Sequence, residues 1–464
     1  MRLAVTLFLM VLAGCTAPAQ QAPAAPSASA ALPFTSEPLV QDHDHTDRLL
    51  HDASLNLWMV SHVLPWGNGS AYGQGSVNEF AVNGNRIFVS RSNPEGGFAI
   101  IDASDAAHPR VVGDFHSEGG ADIEVTSDGQ YALLSTQRTT PGTQTLDNPL
   151  AREPRGIAVV DVTDVARPKL SSFFPLPTNG PHTASYHRTP DGREIVAVET
   201  YDLMTDPSNG ALLGANPATQ RVFIMQLMRD ATGARLEPRG VYEVTETPPA
   251  GKLYFPHDAF MEEHPVTHKL LMYVAYWDAG VRIVDISDLT RPKEIAVFND
   301  FAPSKLAQMH DVKTFPAPLG GRHVTAAAPE IVTAPESGQI TFLDTTDPTK
   351  PTKLGHWHLP GNMTVDQPFV FSPHVFDTNA QGMVVIGHYH AGVWLIDAHD
   401  PANATTVGYY MPHEERPDCK CAQPNVWGAR FWNGYVVVSD GPTGIYILRA
   451  ADGLLPGAPV GRVG

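Results

Sequence analysis

Four histidines carry the strongest chemical signal in this chain. His182, His257, His310 and His374 each stand at the start of a short strand-like run, three of them directly after a proline (Pro181, Pro256, Pro373). His257 and His310 are each followed by an aspartate, Asp258 and Asp311. Imidazoles that converge from separate strands can bind a first-row transition metal such as iron, copper or zinc, leaving a coordination position open to polarise or oxidise a small substrate. Asp258 and Asp311 are expected behind them, as acceptors that orient the rings. The bland alternative is a polar channel without metal, in which the same rings bond to neighbouring strands or to water.

A repeat explains how residues so far apart would meet. Asp, two residues, Asp, three residues and usually Pro recurs at Asp102/Asp105/Pro109, Asp161/Asp164/Pro168, Asp285/Asp288/Pro292, Asp344/Asp347/Pro351 and Asp397/Asp400, with Ala404 in the last proline position. Each copy follows an apolar run (FAIID, IAVVD, VRIVD, ITFLD, VWLID), so it marks a strand, a turn and another strand. The carboxylates are expected to accept backbone N–H groups within the turn. A degenerate copy lies between the second and third, with VFIMQL (222–227) as the strand and 229–238 in place of the turn. A repeat of this length built from several short strands predicts an all-β, seven-bladed β-propeller. Aligned on the innermost strand of each blade, one column reads Asn78, Ala121, His182, His257, His310, His374 and Gly428, so four consecutive blades carry His at one equivalent position. Chance does not account for that with only 20 His in 464 residues. The seventh blade lacks an outer strand, because the chain after Ala450 is rich in Gly and Pro; NLWMVSHVL (56–64) is expected to supply it and close the ring.

These strands, each with its Asp/Pro turn, resemble the LVIVD repeat of secreted bacterial β-propellers, over most of residues 77–450. The resemblance implies the fold and is nearly silent on activity. The first fifteen residues end in LAGC and resemble the lipobox signal of bacterial lipoproteins, which implies lipid on Cys15. The expected organisation is a signal peptide over 1–15, an Ala/Pro-rich tether over 16–54, a propeller over 55–450 and a tail over 451–464. The protein is then expected in the cell envelope, outside the cytoplasm, held to a bacterial membrane by lipid alone.

Strand direction places the histidine column, the loops between second and third strands and the crossovers between blades on one face of the ring. The long stretches 137–155 and 201–220 fall there, as do His388 and His390. So does PHEERPDCKCAQP, in which Cys419 and Cys421 could form a strained disulfide, hold a soft metal or cycle as a redox pair. These four residues form a candidate additional site on the channel face. A formal charge of −18 without Lys/Arg clusters counts against nucleic acid or an anionic bilayer as the ligand. No GxSxG, HExxH or phosphate-loop pattern occurs. Two functional classes remain: a metal-dependent site for a small molecule, of which an oxidoreductase is the catalytic form, and a non-catalytic surface module that holds a protein or a glycan.

Overall fold

A computed structural model describes residues 54–65, 77–91, 96–117, 120–136, 155–176, 180–200, 203–205, 212–215, 220–304, 307–331, 338–360, 370–412 and 424–457. It is a seven-bladed propeller of antiparallel, mostly four-stranded sheets. Blade one runs outward through Val77–Asn83, Arg86–Arg91, Phe98–Asp102 and Arg110–Phe115. The inner strands of blades two to seven are Ile123–Val125, Pro181–Arg188, Asp258–Glu263, Met309–Thr314, Phe376–Thr378 and Val426–Trp432.

Alternation along the third strands builds the ring. Successive side chains of a strand point to opposite sheet faces, and here both faces are buried against another blade. In VWLID, Trp394 and Ile396 pack towards blade five while Val393 and Leu395 pack towards blade seven. A separate apolar cluster fills each of the seven gaps between neighbouring blades. Glycine allows two of the closest approaches: a Cβ on Gly113 would lie 1.8 Å from the Val165 carbonyl oxygen of blade two, and one on Gly355 would lie 2.2 Å from that of Pro401 in blade six.

The repeated turns behave as the sequence predicts. In all five copies each Asp accepts the N–H two residues on, as in Asp285 from Ser287 at 3.1 Å and Asp288 from Thr290 at 3.0 Å. At Asp288 they favour the charged carboxylate, which is drawn down to about 2, by Thr290 first and then Arg291. The degenerate copy differs from expectation. It is a tight hairpin between Asp230 and Gly233, and residues 234–238 belong to the outer strand Gly233–Tyr242.

Ring closure is as expected and extends further. Leu57–Val63 pairs with Gly444–Ala450 as the outer strand of blade seven. Ser54–Leu55 also adds to the outer strand of blade six, Thr405–Tyr410. The amino-terminal segment therefore seals two blades, and Asn56 turns between them with φ +55°.

Candidate metal centre

A β-bulge at the start of the inner strands creates the histidine positions. Between the pairs Met309↔Pro329 and Asp311↔Ala328 the register shifts, and His310 is the extra residue. His182 occupies the same place between Pro181↔Thr200 and Thr183↔Glu199. In blade four, His257 and Asp258 both face Ala275: the His257 N–H bonds its carbonyl at 2.8 Å and Asp258 pairs with it in register. A bulge sets two residues against one and re-aims the extra side chain. In blade seven the extra residue lies between Val426 and Gly428, so Trp427 and not Gly428 fills the equivalent position.

All four predicted rings are brought together, in sequence around the mouth. His182 and His257 have ring centroids 4.3 Å apart, His257 and His310 3.8 Å, and His310 and His374 4.1 Å. His257, His310 and His374 are 4%, 2% and 5% exposed, whereas His182 is half-buried. The Nε2 atoms of His182 and His257 are 3.0 Å apart. That is the distance of an N–H···N bond between neutral imidazoles, and the same two atoms would face a shared ion. The His374 Nδ1–H donates to the Trp427 carbonyl at 2.7 Å, which leaves Nε2 as its ligand nitrogen. His310 stands apart from the others: neither of its ring nitrogens has a hydrogen-bond partner among the described residues.

Burial holds these rings neutral. It is the first cause at each, depressing His182 to about 3 and His374 to about 4, and His257 and His310 well below the usual histidine value. Neighbouring imidazoles add to the depression at His182, His257 and His310. A neutral imidazole offers a cation the lone pair it needs.

Sequence reasoning missed a fifth participant. Donor atoms of His257, His310 and Glu330 all lie within 4.8 Å of one another, which makes Glu330 the carboxylate of a two-histidine trio. Burial pushes its carboxyl up to about 7, against the lowering effect of the Tyr389 phenol that donates to it. Glu330 comes just after the second strand of blade five; Trp277 in blade four and Tyr389 in blade six hold the equivalent place. Trp277 stacks on His257 (5.7 Å, 23°), and Tyr389 meets His374 edge-on (5.0 Å, 70°). Aligning the second strands would have exposed this column.

The remaining described candidates have partners of their own. Asp311 Oδ2 accepts the Phe376 N–H of blade six at 3.0 Å, and Asp258 Oδ1 accepts from Ala259 at 2.7 Å and from the Ser185 hydroxyl at 3.3 Å. Asp122 and Asp377 likewise accept backbone N–H groups of the following blade, from Ala184 and Phe431. Both acids flanking the histidines are thus bound into the inner ring. His388 is buried against Trp357 of blade five, and His390 Nδ1 accepts the Val370 N–H at 3.1 Å. It is Tyr389, between them, that reaches the imidazoles. Cys15, Cys419 and Cys421 lie outside the described residues.

The class defined by this fold is a seven-bladed β-propeller, here with four histidines gathered at the start of its inner strands. Within it the chain carries LVIVD repeats: the family model of that description matches residues 74–116 and 271–300. No curated protein matches the chain. Among solved structures, the WD40 β-propeller domain of Doa1 is similar over 87% of this chain and 99% of that one, at 10% identity and a TM-score of 0.51, a likeness of fold alone. Saccharomyces cerevisiae Sqt1 aligns over 86% and 98% at 11% identity and TM-score 0.49. A functionally unknown protein from Desulfotomaculum acetoxidans aligns over 72% and 85% at 12% identity and TM-score 0.44.

Proposed function

We propose that this propeller binds a transition metal at its channel mouth and acts there as a metal-dependent oxidoreductase on a small molecule. His257, His310 and Glu330 hold the ion, and His182 and His374 complete the set from either side. The observation that carries this reading is His310. A buried nitrogen without a partner costs about 1–3 kcal/mol, and both nitrogens of His310 are in that state. A metal ion on one of them would relieve part of that cost. Neutral imidazoles with one carboxylate are a donor set suited to iron(II), and five such ligands leave one position of a six-coordinate ion open; imidazoles also serve copper and zinc. Such an ion supplies Lewis acidity or electron transfer to a bound substrate.

Elemental analysis of the full chain, purified without a histidine tag, tests this. Stoichiometric iron, copper or zinc is expected, lost in a His257→Ala/His310→Ala variant whose circular dichroism is unchanged. No metal in the wild-type chain, even after anaerobic reconstitution, would sink the reading.

The site is proposed to work outside the cytoplasm, on a chain anchored to the bacterial membrane by lipid on Cys15; the LAGC ending supports this. An alkynyl fatty acid fed to the expressing cells should label the wild-type chain and not Cys15→Ser. An unlabelled wild-type chain would refute the anchor.

A further inference from the structure

We propose that Tyr389 is a positioning residue for the metal, which acts by fixing Glu330 as a ligand; the inference rests on the metal reading above. Three features of the phenol's place support it.

The first is contact. The Tyr389 hydroxyl donates to Glu330 Oε1, and its ring lies edge-on to His374 at 5.0 Å. One side chain thus touches the carboxylate of the trio and a flanking imidazole, which come from different blades.

The second is backbone conformation. Tyr389 has φ +47° and Trp277, its equivalent in blade four, has φ +34°. Bulky residues rarely enter this region, and each instance costs of the order of 1–3 kcal/mol. Both lie against the histidine ring. The conformation is held by the next blade: Tyr389 exchanges both backbone bonds with Val426 at 3.0 Å, and the Trp277 carbonyl accepts the Met309 N–H at 3.0 Å. The fold maintains a strained turn twice, and on each occasion it presents an aromatic ring to an imidazole.

The third is the chemistry of the bond. A phenol that donates to one carboxylate oxygen occupies it and leaves the other for an ion. Among the described residues, Glu330 is otherwise set by its place after Pro329, with its own N–H bonded to the Gln308 carbonyl at 2.9 Å. The phenol therefore fixes the orientation of the carboxylate beside His257 and His310, and holds it there before the ion arrives. Partners of this kind typically contribute 10–100-fold to metal affinity.

The test is a double-mutant cycle on the full chain, with cobalt(II) as probe, read by its visible absorption and by competition titration. Tyr389→Phe removes only the hydroxyl. It is expected to weaken cobalt binding about 10–100-fold and to alter the visible bands, with the melting temperature of the metal-free protein little changed. In a Glu330→Gln background the same substitution should have no further effect. If Tyr389→Phe leaves affinity and spectrum intact while Glu330→Gln reduces affinity, the positioning role is wrong and the metal reading stands. An equal loss in both backgrounds would make Tyr389 a general structural support and also overturn the proposal. A wild-type chain that takes up no cobalt overturns both readings together.

Discussion

At the scale of single residues, His310 is where the proposed metal site is most directly tested. Two orphan nitrogens on a buried ring destabilise the metal-free fold. An apolar side chain of similar size should remove that penalty, so with a chelator present His310→Leu is expected to melt at or above the wild type. With metal the order should reverse, because only the wild type gains the linkage stabilisation of a ligand that binds the native state. Calorimetry with and without chelator checks both arms; a marked loss for chelated His310→Leu would show that the ring is already satisfied. All four histidines were legible in the sequence because they share one place in a repeat. Glu330 and Tyr389 were not, since the column they share with Trp277 holds three different residue types and takes on meaning only when each is seen beside the imidazoles.

At the scale of elements, the bulged inner strands set histidines at the mouth and carboxyls next to them. Burial, with Glu124 second, raises Asp122 to about 7; burial, with Asp311 second, raises Asp258 to about 8. Such acids favour the fold while protonated. Their contribution is complete below the unfolded value near 4 and is lost as pH rises through about 7 to 8. His182 and His374 act in the opposite sense: depressed to about 3 and 4, they favour the fold above the unfolded value near 6.5 and lose that contribution as pH falls. Between about pH 4 and 6.5 the two trends oppose each other, and above 6.5 only the acids' trend remains. The metal-free protein is therefore expected to lose thermal stability from about pH 6.5 to 8. Asp122→Asn, which keeps an acceptor oxygen and cannot ionise, should flatten that slope in a melting series across pH; an unchanged slope would show that Asp122 is not the source. Lys313 and Arg430, beside these acids, oppose part of the effect. The repeat predicted the strands and the Asp turns well, because each turn is satisfied within a few residues. It misplaced the turn of the degenerate third blade, where the Asp/Pro signal is absent, and it did not reveal the bulges, which are a mismatch between two strands.

At the scale of the whole molecule, the ring converts local order into a site. Seven clusters between blades fix the spacing of the inner strands, and that spacing sets neighbouring imidazoles about 4 Å apart. Closure by the amino-terminal segment on blades six and seven keeps the ring from opening beside His374 and Trp427. By itself, the sequence determined the blade, its turns, the number of repeats and the shared place of four histidines, because period-two alternation and Asp turns act over a few residues. Only the tertiary structure decided that Trp427 fills the seventh position, that the flanking aspartates bind the ring together, and that Glu330 and Tyr389 join the imidazoles. Those outcomes depend on register between strands and on distance between blades, and neither quantity is carried by any one stretch of chain.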